Sequence, residues 1–188
     1  MAHIILASSS PRRRELLQQI GLTFECISPD IDESVQSNEQ AEAYVRRLAE
    51  SKARIIFEQY PDVCVIAADT SVVFGGEIIG KPESKQHAFE IWEKLSGHHH
   101  EVMTGICVAY GAYIKSTVVR TQVELQQLTP QDMENYWSTG EPLGKAGAYA
   151  IQGIAAQFVK GIVGSYSNVV GLPLHETVQL LKAVEVLN

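Results

Sequence analysis

The stretch "IILASSSPRRRELLQQIG", residues 4–21, passes from an apolar run to hydroxyls, a proline and three consecutive arginines. Residues 4–7 read as a short buried strand. Ser10 suits a helix N-cap, and Pro11 suits the first helical position, where its fixed φ is already helical and its missing N–H has no partner to lose. Leu16, Leu17 and Ile20 supply an apolar face and Gly21 is placed to end the helix. The unit is strand, serine turn, helix, and it predicts an α/β fold. It also predicts an anion site, because free N–H groups and the helix dipole at such an N-terminus favour negative charge. Ser8 and Ser10 add donors, and Arg12 and Arg13 add forked guanidiniums suited to phosphate oxygens. Successive helical residues point about 100° apart, so the three arginines cannot share one ligand and Arg14 is expected in solvent. A capped helix with a basic surface turn is the competing structural reading.

Outward from this unit, residues 23–28 read as a second strand, followed by the acidic loop "PDIDES". Ala41, Tyr44, Val45, Leu48, Ala49, Ile55 and Ile56 recur with helical spacing and predict a long helix over residues 38–60. The run "VCVIAA", residues 63–68, is uniformly apolar and stops at Asp69, as in a central strand covered on both faces. Gly75 and Gly76 predict a hairpin. Residues 88–95 read as a helix, 101–109 and 113–125 as long strands, and Thr129-Pro130 and Pro173 as openings of two further helices. The whole is an α/β chain with a mixed sheet and flanking helices, expected to form one continuous domain over residues 1–188.

The chain has 22 acidic against 15 basic side chains, a net charge of −7. Such a surface repels long polyanions and anionic membranes, and the 7% aromatics do not interleave with basic residues as stacking platforms require. Neither a nucleic-acid polymer nor a membrane is an expected partner; a small anion in a local basic pocket is. Cys26, Cys64 and Cys107 are far apart and form no C-x-x-C pair, so they read as small core residues. No apolar run reaches signal-peptide or membrane-span length, and a reducing, cytoplasmic home is expected.

Asp69 is expected at the C-terminal end of an interior strand, where open α/β sheets build ligand crevices, with Thr70 beside it. A carboxylate there can hold a divalent cation or take a proton from water, and Glu33 or Asp32 can supply a second oxygen. Lys52 lies four residues after Leu48, with its stem along the apolar stripe of the long helix; it either snorkels to solvent, the commoner case, or reaches into a cleft. "GKP" places Lys81, and "GKAGAYAIQG" places Lys145 and Gln152, among residues that let backbone approach a ligand closely. The Gln152 amide can bond to the edge of a nucleobase or satisfy a neighbouring loop. His98, His99 and His100 read as a solvated turn, since in extended chain at most His98 and His100 could share an ion.

Together "SSSPRRRELL", "AADTSVV", "GKP", "GKAGAYAIQG" and "GSYSNVVGLPL" resemble the Maf family of nucleoside triphosphate pyrophosphatases over nearly the whole chain. The resemblance implies an elongated fold like that of the inosine triphosphate pyrophosphatases, with a cleft between two lobes. It implies cleavage of a nucleoside triphosphate to monophosphate and pyrophosphate with a divalent metal, Mg or Mn, in a housecleaning role. "GKAGAYAIQG" is similar to the branch acting on dTTP and UTP, where Arg12, Thr70 and Gln152 match the positions that set substrate choice. Asp69 matches the catalytic carboxylate, with Glu33, Lys52 and Lys81 as neighbours and Asp69 and Glu33 as metal ligands. A homodimer is implied by resemblance only. A non-catalytic nucleotide-binding regulator of septum formation and a purine pyrophosphatase acting on ITP, XTP or 7-methyl-GTP are the alternatives.

Overall fold

The computed structural model describes residues 2–187. The opening stretch forms strand β1 (Ile4–Leu6) and helix α1 (Pro11–Gln19), joined by the serine turn. A short β2 (Glu25–Cys26) precedes the long helix α2 (Ala41–Gln59) and then strand β3 (Cys64–Phe74). Gly75 and Gly76, both at positive φ, turn the chain into β4 (Glu77–Ile79), the conformation that a tight hairpin requires. Helix α3 (Lys85–Leu95) leads to the long antiparallel pair β5 (His99–Tyr110) and β6 (Tyr113–Leu125). Helix α4 (Pro130–Ser138) opens on a capping box between Thr129 and Asp132. The chain closes with β7 (Val159–Val163), α5 (Tyr166–Val170) and α6 (Leu174–Ala183).

The seven strands form one mixed sheet in the order β2-β1-β3-β5-β6-β7, with β4 paired to β3 alone. β1 runs parallel to β2 and β3, whereas each neighbouring pair along β3, β5, β6 and β7 is antiparallel. Side chains alternate across such a sheet. Ile5, Ala7, Val65, Ala67, Cys107 and Ala109 pack with Ala49, Ala53 and Ile56 of α2 on one face. Leu6, Ile66, Ala68, Ile106 and Val108 join Trp92 of α3 and Leu181 of α6 in the larger core on the other.

Three expectations need correction. Strand β3 does not stop at Asp69 but runs on to Phe74, because Val72 and Val73 resume the apolar pattern and pair with β4 and β5. What ends near Asp69 is its neighbour: β1 pairs with β3 only as far as Ile66, and β4 begins pairing at Val72. Residues 67–71 therefore have β5 on one side and a gap in the sheet on the other. Second, the histidine run is a solvated turn only in part: His98 and His99 are exposed, and His100 is not. His100 lies within β5, is 2% exposed and hydrogen-bonds through Nε2 to the Tyr149 hydroxyl at 2.7 Å. Third, Cys26 is exposed on the short edge strand β2, while Cys64 and Cys107 are buried as expected.

α2 lies close against the sheet at Gly105. A Cβ there would lie 2.2 Å from the Val45 carbonyl oxygen, a backbone atom that cannot swing aside. Gly105→Ala should thus push α2 off the sheet and cost about 3 kcal/mol, the upper end of ordinary overpacking, lowering Tm by about 10 °C. An unchanged melting curve for this variant would show the approach to be looser.

Burial, and secondarily the neighbouring His99, pulls His100 down to about 4 from its usual value. The unfolded chain protonates this ring near pH 6.5 and the folded chain only near 4, so its contribution is complete above pH 6.5 and drains away as pH falls between the two. Wild type should lose about 2 kcal/mol more than His100→Gln between pH 7.5 and pH 5, by urea unfolding. Equal losses in the two proteins would contradict it.

Candidate active site

The gap beside residues 67–71 opens into a cleft of about 580 Å³, within the range of pockets that hold a small organic ligand. The serine turn and start of α1 form one wall; residues 144–152 form another; Asp69 and Thr70 sit in its floor. Because adjacent strand residues point to opposite faces, Asp69 faces α2 and Thr70 faces α5. Both reach the cleft only because the sheet is interrupted there.

On the α2 face, Lys52 enters the cleft rather than snorkelling outward and is 7% exposed. Its Nζ lies 2.7 Å from Asp69 Oδ1 and 2.6 Å from Glu33 Oε1, so one ammonium bridges two carboxylates. Each acid uses one oxygen in this contact. Partial burial works against the charged form of Glu33, but the bond and charge of Lys52, with the fields of Lys81 and Arg13, hold its carboxyl below the usual range. The Glu33 loop is tied to the same helix. Tyr44, two turns before Lys52, donates to the Glu33 carbonyl at 2.8 Å, and Arg47 donates to the Ser34 carbonyl at 3.0 Å while forking onto Glu39. Asp32, the alternative second acid, turns away: its Oδ1 accepts from the Ser34 N–H, and it lines no part of the cleft.

On the opposite face, Arg13 donates to the Gly171 carbonyl at 2.8 Å, the Thr70 hydroxyl at 3.1 Å and the Ser8 hydroxyl at 3.3 Å. Thr70 is also bonded to Thr104 Oγ1 at 2.9 Å. Arg13 is thus a brace between α1, β3 and the end of α5, with its charge directed at the cleft. Ser8 Oγ accepts from the Ser10 N–H at 3.1 Å, while Ser10, although at the N-cap position, makes no side-chain cap. Arg14 is exposed, as expected.

Lys81 lines the rim beside Glu33 and is exposed. Arg12, Lys145 and Gln152 line the far end. Burial first, and then the nearby Arg12, lowers the proton affinity of Lys145, against the pull of Glu141. Two cations that repel one another in a half-buried wall suit an anion lying between them. All of Ser8, Ser10, Arg12, Arg13, Glu33, Lys52, Asp69, Thr70, Lys81, Lys145 and Gln152 therefore border a single cleft. Sequence reasoning passed over Tyr44, Tyr149 and the Gly171 carbonyl. Tyr44 alone left a signal, its place on the Lys52 side of α2.

Residues 3–184 match the model of the Maf-like protein family. The chain belongs to the Maf family. Among its relatives, the dTTP/UTP pyrophosphatase of Acinetobacter baylyi is 66% identical over 97% of this chain and 100% of its own length. Proteins of the same name from Colwellia psychrerythraea and Escherichia coli O157:H7 are 50% and 48% identical, over 95% and 96% of this chain and 86% and 92% of theirs. The Staphylococcus aureus Ham1 protein shares the fold, with a TM-score of 0.52 over 96% of both chains at 14% identity.

Replacing Lys52 by Met removes the bond and the charge that favour ionised Glu33. Its titration, followed by carboxyl ¹³C NMR, should move upward; an unmoved titration would deny the Lys52 bridge.

Proposed function

We propose that this Maf-family chain hydrolyses nucleoside triphosphates to the monophosphate and pyrophosphate, with dTTP and UTP as preferred substrates. The carrying observation is one cleft with cations along its length, a lysine-bridged carboxylate pair at one end and an amide at the other. The names of the Maf relatives, at up to 66% identity, support the same reaction and bases.

A triphosphate carries close to four negative charges, and attack at the α-phosphorus requires that charge to be offset. Arg12, Arg13, Lys52, Lys81 and Lys145 supply the offset, and Ser8, Ser10 and the start of α1 add neutral donors. Water adds to the α-phosphorus, the bond from that phosphorus to the bridging oxygen breaks, and pyrophosphate leaves with the electron pair. Asp69, the more buried acid, takes the proton of the water. Lys52, 2.7 Å from Oδ1, holds the Asp69 carboxylate in place.

Asp69 and Glu33 would hold a divalent cation. Their fit is that of a shared site: two carboxylates, each with a second oxygen beyond the Lys52 contact, suit Mg²⁺ or Mn²⁺ that also takes phosphate oxygens. Among the described residues no three His, Cys, Asp or Glu side chains converge to form an all-protein cage. When bound, such a cation neutralises phosphate charge and orients water. A carboxylate that binds a cation is a poorer base, so Glu33, on the exposed side, takes the larger share. Gln152 and Thr70 complete the reading at the sugar and base end, in a single-domain, cytoplasmic enzyme.

A panel of dTTP, UTP, CTP, ITP, XTP and 7-methyl-GTP with Mg²⁺, scored for pyrophosphate and monophosphate, tests this. dTTP and UTP should be cleaved fastest, and Asp69→Asn should lower kcat about 100- to 10,000-fold. Faster cleavage of 7-methyl-GTP would overturn the pyrimidine preference; no pyrophosphate from any nucleotide would leave a binding regulator.

A further inference from the structure

Gln152 is exposed at the tip of a turn closed by the Gly153 N–H donating to the Ala150 carbonyl at 3.1 Å. Both stems of that turn are fastened to one carboxylate that lies outside the cleft. Before the tip, the Ala150 N–H donates to the Tyr136 hydroxyl at 3.2 Å, and that hydroxyl donates to Glu141 Oε1 at 2.7 Å. After the tip, the Ile154 N–H donates to Glu141 Oε2 at 2.8 Å and the Ala155 N–H to Oε1 at 3.2 Å. Glu141 therefore also satisfies the first N–H groups of the short 3₁₀ helix Ile154–Phe158.

The clamp is anchored in the core. Tyr136 is 3% exposed, with ring contacts to Trp92 and Phe158 at centroid distances of 5.3 and 5.6 Å. Space for the carboxylate exists because residue 153 is glycine: a Cβ there would lie 2.2 Å from Glu141 Oε2. Glu141 and Tyr136 line no part of the cleft, so they act through what they hold.

We propose that Glu141 is a positioning residue for substrate selection: by pinning the main chain on both sides of Gln152, it aims that amide and so sets which nucleobase is accepted. The inference rests on the reading in which Gln152 meets the base. A hydrogen-bonding amide discriminates between bases only when its donor and acceptor are fixed, since a mobile one can rotate to satisfy the wrong edge. Glu141 also places its charge near Arg12 and Lys145, coupling the turn to the cations of that end.

The test is steady-state kinetics on dTTP and dGTP with Mg²⁺ for Glu141→Ala, Glu141→Gln, Gly153→Ala and Gln152→Ala. In Glu141→Ala the KM for dTTP should rise about tenfold, with kcat within about threefold, and the preference for dTTP over dGTP in kcat/KM should fall about tenfold, the scale of one well-placed polar contact. Glu141→Gln keeps the shape and one acceptor oxygen, and should fall between. Gly153→Ala displaces the carboxylate and should reproduce the loss, adding little on the Glu141→Ala background because both act on one contact. Should Glu141→Ala fail to fold, Gly153→Ala and Glu141→Gln decide the matter. Equal losses on dTTP and dGTP, or a lowered Tm with preference intact, would reduce Glu141 to a structural role. If Gln152→Ala erases the preference while the Glu141 and Gly153 variants retain it, this inference alone falls. If Gln152→Ala leaves the preference intact, the base reading falls and this inference with it.

Discussion

A lysine ammonium held between two carboxylates, deep in a cleft, is the contact on which the rest of the site depends. Removing such charges from water is costly, and only close geometry on both sides compensates. That geometry is set by how far α2 can descend onto the sheet. Gly105 is the cross-strand partner of Asp69 and presents the same face, so its missing side chain is what admits the Val45 turn of α2. Lys52, seven residues further along that helix, then arrives over Asp69. The same helix fastens the Glu33 loop through Tyr44 and Arg47. One helix thus delivers the cation and restrains one of its two acids, while β3 supplies the other.

The cleft is divided in its chemistry. Acidic oxygens gather on the α2 side, around Lys52, whereas the α5 side presents hydroxyls braced by Arg13. A ligand lying across the gap meets proton-accepting groups on one flank and donors on the other. This polarity suits a phosphate ester whose attacked atom must face a base while its remaining oxygens are held by donors. The interruption between β1 and β4 is what makes it possible, since an unbroken sheet would separate the two flanks by a layer of backbone.

Local signals were legible in the sequence. The strand, turn and helix of residues 4–21, the long α2 and the β5–β6 pair carry strong periodicity or cap chemistry, and the structure has all of them. The eleven site residues named from the sequence border one cleft. What misled was local too. "VCVIAA" followed by Asp-Thr-Ser looks like a strand end, yet those polar residues are tolerated mid-strand because their missing neighbour is replaced by the cleft. Three consecutive histidines look solvated, and only the distant Tyr149 reveals that the third is buried. Lys52 could not be told from a snorkelling lysine because its partners lie 17 and 19 residues away in sequence. Glu141 gave no signal, as two of its three bonds are to backbone N–H groups that sequence does not display.

The antiparallel ladder between β3 and β5 is continuous from Val65 to Val73. It works as a ruler for chemistry as well as for packing. Slipping β3 by a single residue would carry the carboxylate of Asp69 off the Lys52 face of the sheet and onto the face that Arg13 braces, breaking the ion pair at one stroke. The apolar residues on both sides of Asp69 and Thr70 therefore guard an address: their burial forbids the slip, and two neighbouring letters of the chain keep their separate sides of the sheet.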